Sequence, residues 1–189
     1  IANHKVLRNI SMQYGFIDDF EAMKGDTKQS GSTTAMIEQR FAAFDKKMKL
    51  FYISTPELKE TSNIEPVYLQ GDQRKYHVPC PCCNELICFE WETKCENDKV
   101  EHAGMHWKID DSGRLIHESV GYICQKCGEF FDDSTKSDLI AKGQWIPTAE
   151  PTRPGNYSYH ISALYAPPYM YGWEHYVREF IEANPPGGK

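Results

Sequence analysis

No segment of the 189-residue chain carries the G-x-x-x-x-G-K-[ST] run that cradles nucleotide phosphates. The nearest approach, Ser30-Gly31-Ser32-Thr33-Thr34, has no lysine and cannot replace it. These residues by themselves should therefore neither bind nor hydrolyse ATP well. No apolar run nears the roughly 20 residues needed to cross a bilayer, so no membrane span is expected. The first residues, Ile1-Ala2-Asn3-His4-Lys5, include neither a methionine nor the apolar centre of a secretory signal. With the stop at Pro185-Pro186-Gly187-Gly188-Lys189, both ends read as cut from a longer polypeptide. Positive charge is not in excess. The formal net charge of -6 argues against a dedicated basic nucleic-acid binder, without excluding a protein that handles DNA.

Cysteine is present in an odd number, seven, so a disulfide framework would leave one over. Two C-x-x-C pairs in a chain without export features point instead to metal binding in a reducing compartment, the cytoplasm by default. The remaining composition, 40% hydrophobic and 25% charged, is that of an ordinary globular protein with room for one or two domains.

Residues 1 to 75 alternate strand-like and helix-like patterns. Met12 to Ile17 reads as a strand ending at Asp18-Asp19, and a polar loop covers 24–31. Ser32 or Thr33 then caps a helix with the apolar stripe Ile37, Phe41, Phe44 and Met48. Lys49 to Ser54 reads as a buried strand closed by Pro56. Strand, helix, strand in this order suggests part of a parallel sheet. Residues 76 to 131 hold all the cysteines. Beyond them, a short helix runs from Asp133 or Ser134 to Gly143, and Tyr157 to Ile161 alternates like a half-buried strand. Trp173, Tyr176, Val177, Phe180 and Ile181 then form the face of an amphipathic helix.

Cys80 and Cys83, and Cys124 and Cys127, form two C-x-x-C knuckles. Each such turn aims two thiolates at one point, and two turns complete the tetrahedron that zinc prefers. Four thiolates leave no open position, so the ion is expected to be structural. Strand-like residues flank both knuckles, as in a zinc ribbon, and the long segment between them should hold an extra strand pair or an exposed loop. Cys82 can replace either neighbour as ligand; the matching two-residue gap favours Cys80 and Cys83. Cys88 reads as a strand position, Cys95 as a loop thiol, and His77, His102, His106 and His117 as weaker alternatives.

Asp18-Asp19 has the form of carboxylates at the end of a strand, where P-loop NTPases order magnesium and position water. Acids also follow strands as ordinary turn residues, and the local pattern alone favours that plainer use. Asp72-Gln73-Arg74-Lys75 with Tyr76 and His77 fits a solvated connector better than a phosphate contact.

Taken in order, several runs resemble the large subunit of lambda-type phage terminases, the ATP-driven motors that package DNA into procapsids. They begin near Leu7-Arg8 and Asp18-Asp19 and continue through Gln39-Arg40, Ile53-Ser54-Thr55-Pro56 and Thr61-Ser62-Asn63-Ile64-Glu65. Tyr76-His77-Val78-Pro79-Cys80-Pro81, the second knuckle, Lys142-Gly143-Gln144-Trp145, His160 to Tyr165 and the Trp173 helix complete the match. The resemblance implies that Asp18 holds magnesium, that Asp19 stands where the family has its catalytic glutamate, and that Ser54 and Thr55 belong to the coupling motif. It implies ATP and Mg in the full-length parent beside structural Zn. The implied partners are double-stranded DNA, the terminase small subunit and the portal of the procapsid, in the host cytoplasm, with nuclease acids lying elsewhere. Aspartate at position 19 is one methylene short, and Glu21 is a poorer substitute.

The expected architecture is α/β. It comprises part of a P-loop-type parallel sheet (1–75), a four-cysteine zinc ribbon (76–131) and a helical and stranded connector toward a nuclease (132–189). A stand-alone zinc-ribbon binding module without catalysis is the alternative, and a degenerate ATPase used as a scaffold is a third.

Overall fold

The computed structural model describes residues 11–23, 33–44, 47–57, 61–95 and 102–185. The polar loop expected over 24–31, the cap at Ser32 and the Leu7-Arg8 pair lie outside the described residues. The chain divides into two compact units. One comprises residues 1–73 with 150–158, the other 74–149 with 159–189.

In the first unit, β1 (Tyr14–Ile17) and β2 (Lys49–Tyr52) pair in parallel, with Tyr14 opposite Lys49 and Ile17 opposite Tyr52. The crossover between them contains α1 (Thr33–Glu38), and α2 (Ile64–Leu69) follows β2. Among the described residues the core is Phe20, Ile37 and Phe41, with Ile17, Leu50, Tyr52, Ile64 and Val67 packed around them. Gly15, an odd residue for a strand, is explained here, because a Cβ at that position would sit 2.4 Å from the Phe41 ring. The sequence pattern overstated this unit in two ways. The helical stripe stops at Phe41: α1 ends at Glu38, and tighter bonds such as Phe41 N–H to Glu38 O take over, which rotates Phe44 and Met48 out of phase and leaves them exposed. Nor is β2 buried on both faces. Leu50 and Tyr52 face the core, while Phe16 (70% exposed) and Phe51 (45%) stack on each other outside at 4.8 Å. Among the described residues of this unit the parallel sheet has two strands, not the broad sheet of a whole P-loop domain.

In the second unit, β3 (Arg74–Pro79) pairs antiparallel with β4 (Leu86–Ile87) and β9 (Gln144–Ile146), and parallel with β10 (Tyr159–His160). A second sheet runs β5 (Glu92–Lys94), β6 (His102–Ile109), β7 (Leu115–Ile123), β8 (Phe130–Phe131), every pairing antiparallel. β5 to β7 lie between the knuckles, where the sequence leaves room for an extra strand pair or an exposed loop. α3 (Lys136–Ala141) follows, and α4 (Trp173–Ala183) closes the unit. The side-chain oxygen of Asp132, one residue earlier than expected, accepts from Ser134 N–H at the turn leading into α3.

Trp173 and Val177 of α4 are fully buried against Val78, Ile87, Phe89, Tyr122 and Phe131. The Trp173 ring meets those of Phe89, Tyr122 and Phe131 at 5.3, 5.8 and 5.9 Å, and its indole N–H donates to Leu164 O at 2.9 Å. Lys136 is buried beneath the same ring, its Nζ 5.3 Å from the centroid and 3.9 Å from an Asp133 oxygen. Burial holds its pKa below the ordinary lysine value. Tyr165 ties β3 to the segment after β4: its hydroxyl donates to Tyr76 O and accepts from Phe89 N–H.

Trp173→Ala removes the side chain that all these groups share. The substitution is expected to cost about 3–5 kcal/mol of unfolding free energy, read from urea denaturation followed by far-ultraviolet circular dichroism.

Candidate metal centre and acidic turn

The two knuckles are built alike, which follows from their sequences. Cys80-Pro81-Cys82-Cys83-Asn84-Glu85 turns between β3 and β4, and Cys124-Gln125-Lys126-Cys127-Gly128-Glu129 turns between β7 and β8. Each turn closes with the same two backbone bonds. Asn84 N–H donates to Cys80 O and Gly128 N–H to Cys124 O, both at 2.9 Å; Cys80 N–H donates to Glu85 O at 2.9 Å and Cys124 N–H to Glu129 O at 3.0 Å. The fifth residue must adopt a left-handed backbone, φ 62° at Asn84 and 76° at Gly128, which asparagine and glycine tolerate best.

This arrangement brings Cys80, Cys83, Cys124 and Cys127 together, with their sulfurs all within 4.8 Å of one another. Cys80 Sγ lies 4.0 Å from Cys127 Sγ, and Cys83 Sγ 4.0 Å from Cys124 Sγ. A tetrahedron with metal–sulfur bonds of 2.3 Å has edges of about 3.8 Å, so an ion fits with small closure. The third knuckle residue contributes only its backbone: Cys82 N–H points to Cys80 Sγ at 3.4 Å and Lys126 N–H to Cys124 Sγ at 3.3 Å. Cys82 thus occupies the place that lysine holds in the other knuckle, and its side chain is exposed. None of the histidines weighed as substitutes belongs to the cluster among the described residues. Cys88 lies half-buried beside the Tyr165 hydroxyl, and Cys95 Sγ donates to Cys124 O at 3.6 Å.

Burial pushes the Cys80, Cys124 and Cys127 thiols up to about 11. Burial pushes Cys83 up as well, but the Glu85 N–H and the neighbouring sulfurs outweigh it and hold Cys83 below its ordinary value. Most of the cluster is therefore protonated at neutral pH without a cation, and a bound ion must displace those protons.

The acids and the Ser-Thr pair named from sequence meet at one end of the first unit. Parallel pairing puts the carboxyl ends of β1 and β2 side by side, so Asp18-Asp19 adjoins Ser54-Thr55. Phe20 N–H donates to Ile53 O at 3.2 Å and Glu21 N–H to Ser54 Oγ at 2.9 Å. Asp18 and Asp19 are exposed, Asp18 Oδ1 accepting from Asp19 N–H at 3.1 Å. Asp19 has φ 49° and ψ 42°, a left-handed conformation held by the bonds on either side of it. The Glu21 carboxylate binds the segment after β2, a placement whose only sequence sign is the Ser62-x-x-Glu65 capping pattern nearby. The connector residues are engaged within their own units. Asp72 is buried and accepts from Ser158 N–H at 3.1 Å, Lys75 pairs with Glu90 at 2.6 Å, and Arg74 lies over the Tyr159 ring at 5.6 Å.

Cys83→Ser is expected to lower bound metal from one ion per chain to a small fraction, whereas Cys82→Ser retains it. Elemental analysis after gel filtration reads both. Retention by Cys83→Ser with loss by Cys82→Ser would exchange the two assignments.

Neither the curated proteins nor the solved structures contain a significant match to the chain. The family described as phage terminase large subunit gpA, ATPase domain, matches residues 2–145. That match spans the acidic turn, Ser54-Thr55, both knuckles and the start of β9. The chain belongs to the phage terminase large subunit gpA family, matching its ATPase domain.

Proposed function

We propose that these residues work in the ATP-driven motor that packages and cuts viral DNA, as the part that handles magnesium and couples hydrolysis to movement. In this role the Asp18 carboxylate holds the magnesium of ATP. Asp19, turned outward by its left-handed backbone, orients the attacking water. Ser54 and Thr55 respond to the spent nucleotide. The phosphate cradle must come from elsewhere in the polypeptide, since the sequence holds no G-x-x-x-x-G-K-[ST]. The observation that carries this role is the placement of Asp18-Asp19 and Ser54-Thr55 at the carboxyl ends of adjacent parallel strands, where open α/β sheets bind their ligands. Sulfur-only donors and closed coordination favour zinc at the cysteine cluster, in a structural role. The 132–189 segment leads on toward the nuclease. Double-stranded DNA, the small subunit and the procapsid portal are the partners, met in the cytoplasm of the bacterial host.

A binding module without catalysis is the second reading, favoured by the missing cradle. Phosphate release from ATP separates the two. The 189-residue chain alone is expected to release none. Joined to its cradle it should turn over, and Asp18→Asn should lower kcat by about 100-fold or more. Full turnover in Asp18→Asn would leave the module as the better description.

A further inference from the structure

Glu21 gathers more hydrogen bonds than any carboxylate of a simple turn needs. Oε2 accepts from Ile64 N–H at 2.9 Å, Asn63 N–H at 3.0 Å and the Ser62 hydroxyl at 3.2 Å, and Oε1 accepts from Glu57 N–H at 3.3 Å. Its backbone is held as well. Glu21 N–H donates to Ser54 Oγ at 2.9 Å, and the Asn63 amide donates to Glu21 O at 3.0 Å and Met23 O at 2.8 Å. A carboxylate offers about four lone-pair sites; Oε2 is fully engaged, while Oε1 accepts the single longer bond from Glu57 N–H. Burial pushes the Glu21 carboxyl up, but the bonds from Ile64, Glu57, Ser62 and Asn63 together outweigh it and hold the group below the usual carboxylate range. Glu21 is thus charged at neutral pH and held through both oxygens. That engagement suits it to fastening the turn rather than to orienting a water in place of a longer acid at position 19.

We infer that Glu21 is a positioning residue, fastening the Asp18-Asp19 turn to Ser54 and to the start of α2 so that the acids and the segment after β2 shift as one body. This rests on the ATPase reading of the acidic turn and adds to it a mechanical link. The geometry is specific. Three of the four partners lie at residues 62–64, some forty positions along the chain, and the fourth at Glu57, beyond Ser54 and Thr55. Any displacement of Ser54 on loss of the terminal phosphate therefore pulls on both the strained Asp19 and the first turn of α2. Glutamine at position 21 keeps the size but offers one acceptor oxygen, and turns an N–H₂ toward groups that are themselves donors. The link is then broken on one side.

The test uses the polypeptide in which these residues are joined to the phosphate cradle. It compares Glu21→Gln, Ser54→Ala, the double variant and Asp18→Asn, with kcat counted per nucleotide-binding site. Glu21→Gln is expected to lower kcat about tenfold while KM for ATP stays within about twofold, the pattern of a group that acts only in the transition state. If the two residues act through one link, the double variant should be little worse than the worse single variant. Glu21→Asp, which keeps the charge but withdraws the oxygens by one methylene, should fall between, and carries the same test if Glu21→Gln does not fold. Unchanged kcat in Glu21→Gln beside a dead Asp18→Asn overturns the positioning role alone. So does a loss confined to the number of binding sites, which would make Glu21 merely structural, and so do additive losses with Ser54→Ala. Full turnover in Asp18→Asn removes the ATPase reading, and the positioning role with it.

Discussion

A tetrahedron of sulfurs has to be assembled from two turns that lie more than forty residues apart, at Cys80-Cys83 and Cys124-Cys127. Everything else in the second unit is arranged around that constraint. β3 and β4 carry one turn, β7 and β8 the other, and the aromatic core of Phe89, Tyr122, Phe131 and Trp173 fills the space behind them. The four thiols cannot share so small a volume as thiolates without a cation, and burial keeps most of them protonated when it is missing. A structural zinc contributes about 10–16 kcal/mol at neutral pH in small domains, whereas whole domains are stable by only about 5–15 kcal/mol. On those magnitudes an ion held there would weigh as much as the rest of the fold together.

The first unit works on a different principle. Among the described residues its core is three buried side chains with a few partners, little to hold the acidic turn rigidly. Hydrogen bonds do that instead. Asp19 is kept in a left-handed conformation that costs on the order of 1–3 kcal/mol, and the bonds of Phe20 and Glu21 to the end of β2 hold it there.

The features that rest on short-range pattern were legible in the sequence. The two C-x-x-C turns, the β1–α1–β2 order and the Trp173 helix depend on neighbouring residues alone, and each stands where the pattern put it. Matching spacing favoured Cys83 over Cys82, and the cluster contains Cys83. The choice is made by the backbone of the knuckle, which spends the third residue on an N–H to sulfur contact. Phe44 and Met48 misled because helical periodicity says nothing about where a helix stops. Phe16 and Phe51 misled because an apolar strand reads as buried even when one face lacks a neighbour among the described residues. Glu21 was the hardest to see, since its partners at Glu57 and residues 62–64 come to it only through the tertiary fold.

Zinc K-edge X-ray absorption on the purified chain addresses the sulfur tetrahedron directly, because it counts ligands and measures their distances in one spectrum. The expected result is a single shell of four sulfurs at about 2.3 Å. A shell containing nitrogen or oxygen donors, or a chain that holds no metal and stays compact after chelation, would contradict it.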